Sequence, residues 1–254
     1  RPPPLPDPDP DLAGLHVVVT AGGTAEPIDP VRFIGNRSSG RMGVAIATAA
    51  LAHGARVTLI LGTASVPPPE GVVVVHATTA ATMREAVLAA LPTADALVMA
   101  AAVADFRPRS VAPGKLGRAA GLTLELEPTE DILAEACAVA RAAAAAAGDP
   151  GARPVLVGFA AETGSLERVP EKAARKGVDL IVANDVAEAG SGFGTETNRV
   201  TIVTPGTSPE PWPMATKAEV AERLLGRIAA IRASLGASSA TDGARRAPAH
   251  GSDR

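Results

Sequence analysis

Between residues 17 and 43 the chain reads VVVTAGGTAEPIDPVRFIGNRSSGRMG, and these residue types are suited to holding an anion. Gly22 and Gly23 break an apolar run, a polar stretch follows, and Ser38, Ser39 and Gly40 stand where the next helical pattern begins. Glycines reach positive φ and leave backbone N–H groups open to phosphate, and a helix N-terminus adds the positive end of its dipole. The same residues suit a surface loop with capping serines, so residue type alone leaves both readings open. TAGGTAEP lacks the G-x-G-x-x-G spacing of a dinucleotide loop. The stretch 35–42 places Arg41 and Met42 where a P-loop has Lys and Ser or Thr. Lys115, between Gly114 and Gly117, fits either a lid lysine or a solvated connector. Lys172 and Lys176, four residues apart, share a helix face and fit either solvent or a triphosphate. Cys137 lies in an alanine-rich helical stretch and reads as a small buried hydrophobe. The four histidines, at 16, 53, 76 and 250, have no metal-ligand spacing, and no Ser-His-Asp or Cys-His set is evident.

The elements that must position these residues alternate. Apolar, β-branched runs predict strands at 17–20, 56–61, 71–76, 96–102, 155–161, 179–186 and 199–204, and an alternating run predicts another at 122–126. Helices are expected at 41–53, 80–91, from a Thr129 N-cap through an alanine tract to 148, at 166–176 with Pro170 in its first turn, and at 217–233. The 96–102 run is apolar throughout, as a parallel strand covered on both faces should be. This order predicts one α/β domain over residues 15–235: a doubly wound, mostly parallel sheet with helices on both faces, Rossmann-like. Its ligand crevice lies beyond the carboxyl ends of the strands, where the Gly22 and Asp105 loops fall. Residues 1–14 read as a Pro-rich linker and 236–254 as a disordered tail.

Composition narrows the partners. With 254 residues, 46% of them hydrophobic, the chain can bury a sizeable core. A formal net charge of −3 gives no general attraction to nucleic acid or an anionic membrane, and no apolar run reaches spanning length. A single cysteine forms no internal disulfide and suits a reducing cytoplasmic setting. No signal peptide is recognisable, and an opening of Arg followed by prolines leads to the expectation of a piece cut from a longer chain.

Four motifs in order are GGTAEPIDPVRFIGNRSSGRMG from Gly22, MAAAVADFRP from Met99, VGFAAET from Val157 and DLIVANDV from Asp179. Together they resemble the phosphopantothenoylcysteine synthetase family, the second half of the bacterial bifunctional coenzyme A biosynthesis protein, over most of residues 15–232. The resemblance implies a ligase that joins 4′-phosphopantothenate to L-cysteine through an acyl-cytidylate, with CTP as nucleotide and Mg2+ accompanying it. It implies that the Asn36 amide donates to the acyl oxygen, that Arg32 contacts the pantothenate-bearing substrate, and that Ala102 lines the same pocket. Nucleotide contacts are implied at Asp105, Glu130, Asp131, Ile132, Leu133, Phe159, Lys172 and Lys176, although Phe159 also fits simple core packing. Lys115 matches the first lysine of the family's flexible flap. The sequence then departs from the Lys-Ile-Lys-Lys pattern, reading Lys115-Leu-Gly-Arg118, which alters two of the flap's charges. Gly22, Gly23, Ser38, Ser39 and Gly40 are assigned to phosphate from loop chemistry alone. The resemblance further implies a homodimer with the site near the interface, and an upstream flavin-dependent decarboxylase domain. Two other classes stand beside this one, an NAD(P)-dependent oxidoreductase and a non-catalytic nucleotide-binding module.

Overall fold

The computed structural model describes residues 11–118, 121–188, 190–192 and 194–246. In chain order the elements are β1 (His16–Ala21), β2 (Ala25–Pro27), β3 (Phe33–Gly35), α1 (Arg41–Ala52), β4 (Arg56–Leu61), β5 (Val73–His76), α2 (Ala80–Ala90) and β6 (Ala96–Met99). There follow β7 (Phe106–Pro108), β8 (Leu126–Pro128), α3 (Ile132–Ala146), β9 (Val155–Glu162), α4 (Val169–Lys176) and β10 (Leu180–Asp185). The chain then forms β11 (Thr197–Asn198), β12 (Thr201–Val203), β13 (Glu210–Pro211), β14 (Ala215–Thr216) and α5 (Lys217–Arg246).

Eight strands form one sheet in the order β13-β12-β10-β9-β6-β1-β4-β5. The six from β10 to β5 run parallel, as their continuous apolar runs require, and β12 and β13 close one edge antiparallel. Each central strand feeds both faces: Val17 and Val19 join the core beneath α1 and α5, while Val18 joins the core beneath α2, α3 and α4. Fully burying one such Val or Leu side chain contributes about 1.5–3 kcal/mol. On the first face Ile46 of α1 and Leu224, Leu225 and Ile228 of α5 are fully enclosed. The doubly wound arrangement read from the alternation is therefore the one observed.

Several boundaries differ from the sequence reading. Leu12 is fully buried and its N–H bonds the His53 carbonyl, so the packed domain begins inside the expected 1–14 linker. The rest of that linker, residues 1–10, lies outside the described residues. At the other end α5 continues to Arg246, so the segment expected to be disordered from 236 is helical over its first part, and 247–254 lie outside the described residues. The expected strand at 122–126 pairs only at 126–128, because its partner is the three-residue β7. β6 stops at Met99, where the chain turns aside: the Ala101 N–H bonds Thr20 Oγ1 and the Ala102 N–H bonds the Gly22 carbonyl. Two hairpins, β2–β3 and β7–β8, carry no alternation long enough to be read, and they project from the strand ends side by side.

Candidate active site

Among the parallel strands the order reverses between β1 and β6, so their loops leave in opposite directions and open a crevice at the carboxyl ends. A cavity of about 370 Å³ occupies that place. It is walled by residues 38–43, 99–105, 129–133 and 159–161, together with Asn36, Lys172, Lys176, Asn184, Gly192, Asn198 and Lys217.

One wall is the segment from Asn36 into α1. Asn36 follows the β2–β3 hairpin and its Nδ2 donates to the Val103 carbonyl at 2.8 Å, which orients an otherwise exposed amide. Gly40 forms the N-cap of α1 at φ 78°, a conformation that penalises a side chain. No side chain caps this helix, and its first-turn residues Arg41, Met42 and Gly43 line the cavity. Their orphan N–H groups and the positive end of the helix dipole give this wall a chemistry suited to an anion. Gly43 lets α1 approach β1 closely, since a Cβ there would lie 2.5 Å from Ala21 Cβ and 2.8 Å from the Thr20 carbonyl oxygen. Ser38, Ser39 and Gly40 line the same cavity.

The opposite wall comes from the turn into α3. Thr129, read as an N-cap, instead donates its Oγ1 to the Ala104 carbonyl at 2.6 Å, and its N–H to the Asp105 carbonyl. Asp131 is the N-cap, accepting from the Ala134 N–H at 3.1 Å, so the helix starts two residues later than the Thr129 reading placed it. Ala102, Asp105, Glu130, Asp131, Ile132, Leu133 and Phe159 all line the cavity. Lys172 and Lys176 reach it from α4, each already paired: Lys172 Nζ lies 3.2 Å from Glu162, and Lys176 Nζ 2.7 Å from Asp131. Burial pushes the Asp131 carboxyl up, but the Lys176 hydrogen bond and charge outweigh it and hold the group below its ordinary range. The lysines therefore arrive with their charge partly neutralised and fixed in direction.

Four expected residues lie outside the cavity lining. Gly22 and Gly23 serve close backbone packing: Gly23 exchanges both backbone bonds with Thr63, at 2.9 and 2.8 Å, and the Gly22 carbonyl accepts from Ala102. A Cβ on Gly22 would lie 2.6 Å from the Thr63 carbonyl oxygen. Both Gly23 backbone groups and the Gly22 carbonyl thus join the ends of three strands, a structural duty beside the phosphate role expected of this loop. Arg32 sits on the β2–β3 turn, where Asp29 and the Leu116 carbonyl hold its guanidinium, and Lys115 stands exposed on the adjoining flap.

The sequence reading missed Arg41, Asn184, Asn198 and Lys217. Lys217 is 7% exposed, and its Nζ donates to the carbonyls of Gly192 and Thr195, pinning the loop that forms one side of the cavity. Asn198 Oδ1 accepts from Ser191 Oγ at 2.7 Å and braces the same loop. Burial lowers the Lys217 pKa, the nearby Arg41 charge lowers it further, and Glu196 opposes both. One signal was available. Lys217 opens α5 directly after a Thr216/Glu219 capping pair, and a cation in the first turn opposes the helix dipole, which marks it for some other duty. Among the described residues no group of three or more His, Cys, Asp or Glu is arranged to hold a metal, and no helix is long and apolar enough to cross a membrane.

Comparison with known proteins places these features. Residues 12–231 match the family model of the DNA/pantothenate metabolism flavoprotein C-terminal domain. The coenzyme A biosynthesis bifunctional protein CoaBC of Bacillus subtilis is 44% identical over 228 residues, covering 89% of this chain and 53% of that protein. The protein of the same name from Mycobacterium bovis is 51% identical over 196 residues, covering 74% and 46%. The chain thus spans about half the length of these curated relatives. A crystal structure of the C-terminal domain of the coenzyme A biosynthesis bifunctional protein CoaBC superposes with a TM-score of 0.72 at 35% identity, covering 88% of this chain and 98% of that one.

Proposed function

The chain belongs to the DNA/pantothenate metabolism flavoprotein C-terminal domain family, and from that premise we propose that it is the ligase that joins 4′-phosphopantothenate to L-cysteine at the expense of CTP. The observation that carries this reading is the convergence on one cavity of Asn36, Ala102, Asp105, residues 130–133, Phe159, Lys172 and Lys176, which the chain supplies from five separate segments. The relatives' names point to coenzyme A biosynthesis, and this chain corresponds to about half of each bifunctional protein. The upstream flavin-dependent decarboxylase domain is part of this proposal.

In the first step the pantothenate carboxylate attacks the α-phosphate of CTP, forming a carboxylate–phosphorus bond and expelling pyrophosphate. Such a step needs positioning and neutralised charge more than a covalent nucleophile. The α1 N-terminus, Arg41, Lys172 and Lys176 supply cationic groups around the cavity, and the flap lysine Lys115 adds another from outside its lining. In the second step the cysteine amine attacks the acyl carbon and CMP leaves. One Nδ2 hydrogen of Asn36 goes to Val103, and the other is available to the oxygen that gains negative charge. Magnesium would neutralise part of the triphosphate charge. The site fits an ion that arrives with the nucleotide, since Mg2+ is bound through one or two carboxylates plus phosphates and water, and Asp105 on the cavity wall is the residue to hold it.

A homodimer belongs to the same proposal. Phe33 and Phe106, 61% and 52% exposed, stand on the two adjacent hairpins and support a second copy covering that face. Light scattering of the purified protein tests it. The activity is tested by pyrophosphate release with Mg2+ and 4′-phosphopantothenate, comparing CTP with ATP, with and without cysteine. CTP-dependent release that needs cysteine for sustained turnover is expected. Absence of release from folded, dimeric protein would favour a nucleotide-binding module.

A further inference from the structure

Asp29 occupies the turn between β2 and β3, and its side chain is fully shielded from solvent. Both of its oxygens are in use. Oδ1 accepts from the backbone N–H groups of Val31 and Arg32, each at 2.8 Å. Oδ2 accepts from Arg32 Nε at 2.9 Å, from Arg32 Nη2, and from the backbone N–H of Leu116 at 3.1 Å. Arg32 Nη2 also donates to the Leu116 carbonyl at 2.9 Å, so this one flap residue is gripped at both its N–H and its C=O. A further backbone bond, from Ala112 N–H to the Ile28 carbonyl at 3.0 Å, ties the base of the flap to the same turn. The Arg32 hydrogen bonds hold the Asp29 carboxyl well below the ordinary carboxylate range against the opposing effect of burial.

We propose that Asp29 is a positioning residue with two outputs: it aims the Arg32 guanidinium, and it docks the flap at Leu116 so that the neighbouring Lys115 keeps a defined place beside Arg32. With Nε and Nη2 committed, Arg32 presents Nη1 and a fixed plane to an incoming carboxylate or phosphate, the geometry in which a guanidinium recognises such groups. The docking itself follows from the bonds to Leu116. Its consequence for substrate rests on the ligase reading, in which Arg32 and Lys115 meet the pantothenate-bearing substrate. Because Nη2 is shared between Asp29 and the Leu116 carbonyl, the arginine and the flap move as one unit.

The test is Asp29→Asn in the full chain. Asparagine offers one acceptor oxygen and one NH2 donor. If the oxygen keeps the Val31 and Arg32 amides, the NH2 faces the guanidinium and the Leu116 N–H, donor against donor. The flipped amide breaks the turn instead. The KM for 4′-phosphopantothenate should rise about tenfold while that for cysteine stays within about twofold, and trypsin should cut after Lys115 or Arg118 about tenfold faster, read from fragment masses. A general loss of fold would lower kcat and the melting temperature together and would not select one KM. Failure of either readout in a folded variant overturns the proposal. If wild-type protein makes no product, the ligase reading fails, and flap cleavage alone judges the docking. If Asp29→Asn does not fold, amide exchange in the wild type decides: the Leu116 amide should exchange about tenfold more slowly than that of Gly117, and equal rates overturn the docking.

Discussion

Asn36→Asp separates the two chemical steps assigned to the cavity. The substitution preserves size and removes both Nδ2 hydrogens, placing a carboxylate opposite the Val103 carbonyl where a 2.8 Å hydrogen bond stood. Because Asn36 is exposed, the lost bond is worth about 0.5–1.5 kcal/mol of stability. At about 2–4 °C per kcal/mol for a domain of this size, the melting temperature should fall by only a few degrees. The catalytic effect is larger. Removing one donor to a developing oxyanion costs about 2.7–4 kcal/mol, or about a hundredfold to a thousandfold in rate, and a carboxylate in its place repels that charge. The first step does not use this amide, so pyrophosphate should still appear in a single-turnover burst at close to the wild-type rate. The acyl-cytidylate should then accumulate, detectable by mass, while transfer to cysteine slows by about a hundredfold or more. Product formation at the wild-type rate would refute the role given to Asn36. Equal loss of both steps would show that the side chain acts on binding alone.

Lys176→Met should raise the KM for CTP about tenfold or more, since hydrogen bonds from a charged group contribute about 1.5–3 kcal/mol, and initial-rate kinetics would measure it. The Asp131 left behind is half exposed, so stability should change by less than about 1 kcal/mol, and an unchanged KM would leave the lysine as no more than an ion-pair partner. Gly43→Ala should destabilise by about 1–3 kcal/mol in urea, because its Cβ would strike Ala21 and the Thr20 carbonyl. The stabilisation that alanine ordinarily brings within a helix would contradict the close packing of α1 on β1. Cys137 is buried and its thiol is pushed up to about 11 by that burial, so native protein at pH 8 should alkylate far more slowly than the same protein in urea. The native rate should climb as pH approaches 11 and should not level off near the ordinary thiol value of about 8.5.

The parts of the fold that were legible in sequence are those whose cause is local. β1, β4, β9 and β10 are apolar runs because both faces are covered, and their burial follows residue by residue. The hairpins were not legible: three-residue strands such as β2 and β7 are too short to show alternation and are defined by their pairing with β3 and β8. Thr129 and Asp131 are both good caps by type, and what decides between them is that Ala104 claims the threonine hydroxyl. In the site, Lys172 and Lys176, whose spacing put them on one helix face, both line the cavity. Their carboxylate partners, Glu162 and Asp131, come from other elements and were invisible to spacing. Gly22 and Gly23 show the converse, a loop whose composition suits phosphate while both backbone groups of Gly23 and the Gly22 carbonyl also bond Thr63 and Ala102, partners that spacing could not reveal.

Lys217 bears on the order in which the molecule is made. Its ammonium bonds the carbonyls of Gly192 and Thr195, yet it belongs to α5, which follows every other described element in the chain and packs against α1. A ribosome-bound chain that has already formed β1 to β10 would own every other wall of the cavity and still lack the group that bonds these carbonyls. The cavity is therefore expected to gain its full lining only after α5 has emerged and docked, since Lys217 is part of that lining.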